Sequence, residues 1–329
     1  MQRSDEVNRA RRRPLARLGP WTLGFLLFAC AAGLARLATH GAAAQELPAA
    51  PIDPMRADSA AQAGADQTAI DVGGTSADLQ VEEFAIHVPP LRSRPLTPLV
   101  VLHGMGGTGS DEADALRQQA DEFGWAVLAP TFGYGDWRDP AELRIEDPAN
   151  ATRIATMLDR LPDLIGHNTR RHALVYGFSR GAQTAHRFAL AFPRRVEAVA
   201  MMSSGTYTLP VSSTDGTMAL PFPFGVSDFP DLFGWSFDAD DFSSIPFWIG
   251  VGSQDVDPSD VPHQWDPYLG DERVERAQSY ARWLRRAGVQ AQVQVFPGTG
   301  HGETAETRSA AVRFLARVDE ADGTGNPSS

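Results

Sequence analysis

The sequence predicts an α/β fold: a doubly wound, mostly parallel sheet with a cap-like insertion after the sixth strand, over residues 205–245. Three observations lead there. Short apolar runs rich in β-branched residues recur along the chain, and amphipathic segments of helical spacing lie between them. One aromatic-rich stretch of about 40 residues fits neither pattern.

The 329 residues are 43% hydrophobic and 21% charged, which is a globular balance. Residues 1–44 read as an export signal, with a basic segment RARRRPLARLG (9–19) and an apolar run WTLGFLLFACAAGLA (21–35). Ala42-Ala43-Ala44 ahead of Gln45 supplies the cleavage site. The expected location is secreted or cell-envelope, in a bacterium. Membrane attachment would arise only from an uncut signal or from a lipid on Cys30, in Leu27-Phe28-Ala29-Cys30. Residues 45–80 hold too few large apolar side chains to offset their ordering entropy and read as a flexible linker. Residues 319–329 read as a disordered tail, which leaves 81–318 as the folded domain. A lone cysteine excludes an internal disulfide and a Cys-based zinc site, and no metal is expected. The net charge of -12 argues against nucleic acid, because nothing would neutralise phosphates.

The expected strands are FAIHV (84–88), PLVVLHG (98–104), WAVLAP (125–130), HALVYGFS (172–179), VEAVAMMSS (196–204), PFWIGVG (246–252) and QVQVF (292–296). Several are continuously apolar, as in parallel strands covered on both faces. A helix over 111–123 follows Ser110 as N-cap and places Ala113, Leu116, Ala120 and Phe123 on one face. Residues 150–164 show helical spacing through Ile154, Met157, Leu158 and Leu161. Further helices are expected at 180–191, 271–287 and 303–318. In such sheets ligands bind beyond the carboxyl ends of the strands.

The chemistry-bearing motifs all fall at those ends. Gly177-Phe178-Ser179-Arg180-Gly181 closes one strand and opens a helix, the context in which G-x-S-x-G exposes a nucleophilic serine. A serine hydroxyl needs a base, and His301 in Gly300-His301-Gly302 follows the last strand. The histidine needs a carboxylate to set its tautomer. Asp255 follows the strand FWIGV and is the first candidate, with Asp257 as rival and Asp260 behind it. The glycine-rich turn His103-Gly104-Met105-Gly106-Gly107 offers backbone donors. The N–H groups of Met105 and Arg180 are the expected oxyanion pair.

With these four motifs in order, residues 81–317 resemble the α/β-hydrolase superfamily, and LHGMGG and GFSRGA are similar to esterases of the polyhydroxybutyrate-depolymerase and feruloyl-esterase type. Arg180 departs from those relatives, so their substrate is not carried over. The resemblance implies hydrolysis through an acyl-enzyme with no cofactor. The partner would be a small-molecule or polymeric ester. Tyr134, Trp137, Phe224, Phe233 and Trp235 are candidate substrate contacts, alongside Phe222, Phe229 and Trp265. A serine peptidase on the same fold and a non-catalytic surface binding protein are the alternatives.

Overall fold

The computed structural model describes residues 83–90 and 94–324; the expected signal (1–44) and linker (45–80) lie outside them. Among the described residues one sheet holds β1 (Glu83–His87), β2 (Thr97–Leu102), β3 (Trp125–Thr131), β4 (Ala173–Phe178), β5 (Val196–Met202), β6 (Phe247–Gly252) and β7 (Ala291–Phe296). Their order is β1-β3-β2-β4-β5-β6-β7. Strand β1 runs antiparallel to β3 and every other pair is parallel. The sheet is therefore mixed but mostly parallel.

Period-two alternation divides each strand between two cores. In β2, Leu99 and Val101 face a cluster with Leu116, Phe314 and Leu315, while Val100 and Leu102 face one with Ile154, Phe188 and Leu284. Helices α1 (Gly109–Phe123) and α8 (Ala305–Thr324) cover the first side; α2 (Pro140–Ile165), α3 (Arg180–Ala191) and α7 (Arg273–Arg286) cover the second. With both sides covered, β2 and β6 are buried at every position, which is why they read as unbroken apolar runs.

Four boundaries differ from the sequence expectation. Helix α1 is capped by Thr108, whose side chain accepts from the Asp111 N–H, and Ser110 lies inside it. Helix α2 begins at Pro140, capped by Asp139, and runs straight through Pro148. A proline there forfeits one backbone bond. Burial of Leu143, Asp147, Pro148 and Ala151 overrides that local preference. Helix α8 continues to Thr324, so residues 319–324 are ordered helix and no tail begins at 319. The cause is Asp319, which is buried and accepts from Thr97 Oγ1 (2.8 Å) and Trp125 Nε1 (2.9 Å). Lastly, the insertion follows β5 and not a sixth strand, because only five described strands precede it. It contains two short helices, α4 (Phe229–Phe233) and α5 (Ala239–Ser243), and a third, α6 (Asp266–Leu269), lies between β6 and α7.

Candidate active site

Ser179 sits at the junction of β4 and α3 with φ 51° and ψ -111°, a strained conformation for a residue with a side chain. Close packing enforces the turn. A Cβ on Gly181 would run into the backbone carbonyls of Leu102 and His103, and one on Gly177 into the backbone of Gly181. The Ser179 N–H donates to the Met202 carbonyl at 2.8 Å, tying the turn to β5.

Three loops at the carboxyl edge of the sheet meet here. Ser179 Oγ lies 3.0 Å from His301 Nε2, and His301 Nδ1 lies 2.9 Å from Asp255 Oδ2. An ionised carboxylate only accepts, so Nδ1 carries the proton and Nε2 is left to accept from the serine hydroxyl. His301 is exposed and packs its ring against Phe178, whereas Asp255 is only 4% exposed. Burial pushes the Asp255 carboxyl up, but the hydrogen bond from His301 and the Arg273 charge outweigh it and hold it below the ordinary range. Arg273 Nη1 donates to Asp255 Oδ1 at 2.9 Å. Asp257 turns instead to Ser259, accepting from its N–H at 2.9 Å and its hydroxyl at 2.7 Å. The Asp260 carboxylate approaches Arg273 at 3.9 Å.

The upstream turn is held from below. His103 Nε2 accepts from the Phe132 N–H at 3.0 Å, so its Nδ1 donates to the Gly104 carbonyl at 2.6 Å. Gly107 N–H reaches the same carbonyl at 3.1 Å. In a trans peptide the next N–H, that of Met105, points to the opposite side. A Cβ on Gly104 would stand 3.5 Å from the Ser179 Cβ, which puts this turn directly beside the serine. Burial lowers the His103 pKa, offset in part by the Gly104 carbonyl and Asp111. A neutral ring is what donating at one nitrogen and accepting at the other requires.

Arg180 sends its side chain away from the site, into the protein. Its Nη2 donates to Asp147 Oδ1 (2.6 Å) and Glu146 Oε1 (3.0 Å), and its guanidinium lies 4.7 Å from the Tyr134 ring centroid. Arg187 shares Asp147 through the other carboxylate oxygen. This network anchors the first turn of α3 against α2, and its acid, Asp147, was not singled out from the sequence.

The aromatic candidates separate by position. Trp137 lies near Arg273, the partner of Asp255: its ring is 6.0 Å from that guanidinium and 2.8 Å from where a Gly205 Cβ would be. Tyr134 supports Arg180 and packs on His103 at 5.0 Å. Phe224 packs on Trp265 at 4.5 Å and on Tyr268 at 5.8 Å. Phe233 and Trp235 pack on Phe192, beyond the far end of α3, and Trp235 Nε1 donates to the Ala191 carbonyl at 3.1 Å. Ser179 stands at the other end of that 12-residue helix, roughly 18 Å away along its axis. Phe233 and Trp235 therefore do not contact a group bound at Ser179. Arg273, by contrast, was missed. A cation at the first turn of a helix opposes the dipole, and that was the available signal.

No protein-family model and no curated protein sequence matches the chain. Solved structures do. Poly(aspartic acid) hydrolase-1 from Sphingomonas sp. KT-1 is 20% identical with a TM-score of 0.56, covering 71% of this chain and 92% of that one. A poly(3-hydroxybutyrate) depolymerase from Bordetella parapertussis is 23% identical with a TM-score of 0.54, covering 72% and 89%. At such identities the likeness is one of fold. Among the described residues the chain has an α/β fold with a mostly parallel seven-stranded sheet, consistent with the α/β-hydrolase fold and like the hydrolase and the depolymerase it matches.

Proposed function

We propose that this chain is an exported serine hydrolase that cleaves carboxylic esters through an acyl-enzyme intermediate. One observation carries the reading: an unbroken hydrogen-bonded chain from Ser179 Oγ through His301 to Asp255, at 3.0 and 2.9 Å, set on a strained strand-to-helix turn. His301 Nε2 takes the hydroxyl proton as Ser179 Oγ attacks the ester carbonyl. The same nitrogen then protonates the departing alcohol. Water repeats the sequence on the acyl-enzyme, with His301 again as base. Asp255 stabilises the imidazolium formed in each half. The N–H groups of Met105 and Arg180 serve the oxyanion, each donor contributing about 3–4 kcal/mol to the transition state.

The substrate in this reading is a small or polymeric ester outside the cell. Export rests on residues 1–44, which lie outside the described residues. Two exposed apolar side chains, Met105 (48%) and Val256 (43%), next in sequence to Gly104 and Asp255, support an apolar ester. Any cap over the serine falls to the start of the 205–245 insertion, where Gly205 meets Trp137. A p-nitrophenyl acyl ester series should show turnover that Ser179→Ala reduces by at least about 10⁴-fold. Undiminished turnover in that variant would sink the assignment. Cleavage of aminoacyl anilides without ester cleavage would favour the peptidase, and absence of labelling by a fluorophosphonate the binding protein.

A further inference from the structure

Asp255 has two partners, and the second is unusual in its cost. Arg273 is the first residue of α7, where its charge meets the positive end of the helix dipole. It is also buried, at 5% exposure, and burying a guanidinium is expensive unless it is paired. The pairing is specific. Arg273 Nη1 donates to Asp255 Oδ1 at 2.9 Å and Nη2 to the Asp260 carbonyl at 2.8 Å, so the fork clamps both ends of the 255–260 loop. Asp255 Oδ2 is left for His301 Nδ1. The Trp137 ring lies beside the guanidinium, 6.0 Å away.

Resting on the proposed hydrolase reading, we propose that Arg273 is a positioning residue of the triad. It fixes the carboxylate rotamer so that Oδ2 faces His301, and its buried charge offsets part of the carboxylate charge that His301 meets. The sign follows from Coulomb's law. Arg273 neutralises part of the Asp255 charge, so removing it leaves the carboxylate to act on the imidazolium uncompensated. The other groups facing this pair are Asp257 and Asp260 on the same loop, Glu272 and Arg276 on α7, and the Tyr207 hydroxyl from the insertion. Of these, Arg276 is held by Asp266 at 2.6 Å and Asp257 by Ser259, which leaves Arg273 as the cation bonded to Asp255.

The test compares wild type, Arg273→Gln, Arg273→Lys and Asp260→Asn by two readouts. The first is the acid limb of kcat/KM on a p-nitrophenyl ester. The second is the His301 imidazole titration by NMR in isotope-labelled protein, assigned with His301→Gln, which requires no activity. Arg273→Gln should move both upward by about 0.5–2 pH units, the order expected for loss of one charge a carboxylate away at effective dielectrics of about 80 to 20. Arg273→Lys should restore most of the shift. Asp260→Asn removes a negative charge and should move both slightly downward. A His301 titration unmoved in folded Arg273→Gln overturns the proposal. If that variant does not fold, an Asp260→Asn titration that is unmoved or moves upward overturns it. Absence of wild-type ester turnover together with shifted NMR titrations would overturn the hydrolase reading and leave the Arg273 coupling standing.

Discussion

Asp255 and Asp257 are two residues apart on one loop, yet their surroundings give them different work. Asp255 is buried between a cation and an imidazole, while the exposed Asp257 closes a local turn on Ser259. Desolvation is what makes the first pair strong. At Glu112, in the first turn of α1, the same desolvation is not outweighed by partners. Burial, reinforced by repulsion from Glu303, pushes the Glu112 carboxyl up to about 7, with Arg308 opposing. Here the folded pKa lies above the unfolded one, so the native state binds the extra proton. Stability is then full below about 4.5 and is lost as the pH rises towards about 7. Glu112→Gln should abolish that loss. Relative to wild type, it should gain on the order of 1–3 kcal/mol between pH 4 and pH 8, read from urea unfolding at both. An equal difference at the two pH values would refute it.

At the scale of elements, the insertion between β5 and β6 behaves as two pieces. Its start, at Gly205, meets Trp137 near Arg273, whereas Phe229, Phe233 and Trp235 form an aromatic cluster with Phe192 at the far end of α3. Substitutions in the second piece should therefore affect packing and not turnover. Phe233→Ala is expected to cost about 1–3 kcal/mol of stability while leaving kcat/KM on short acyl esters within about twofold. Thermal denaturation beside ester kinetics checks it. Trp137→Ala provides the contrast, with kcat/KM expected to fall by at least about tenfold. A Phe233→Ala defect in kcat/KM as large as that of Trp137→Ala would place the cluster in the site after all.

The whole molecule is closed by contacts distant in sequence. Asp319, near the end of α8, receives Thr97 of β2, Trp125 of β3 and Arg170 of the loop before β4, the last at 3.1 Å. Asp319→Ala would strand a buried hydroxyl and an indole N–H, while Arg170 keeps Asp322 at 3.2 Å. The expected cost is about 3 kcal/mol, seen as a lower urea midpoint with the ester pH profile unchanged. A midpoint within error of wild type would mean that water replaces the carboxylate.

Strand positions, and thereby the fold class, were legible because a strand buried on both faces must be apolar whatever its neighbours are. The serine turn was legible because steric exclusion at Gly177 and Gly181 leaves a local signature. The chain order of Ser179, Asp255 and His301 also lies in the sequence, since each follows a strand that ends at the same edge. Other features were not legible, because they are pairings across long separations. Arg273 with Asp255, Arg180 with Asp147 and Asp319 with Trp125 join residues 18, 33 and 194 positions apart. No periodicity records such contacts. The division of the aromatic residues between site and core was hidden for the same reason: a phenyl ring is equally apolar in a pocket or a core. Only the path of the insertion past the end of α3 decides between them.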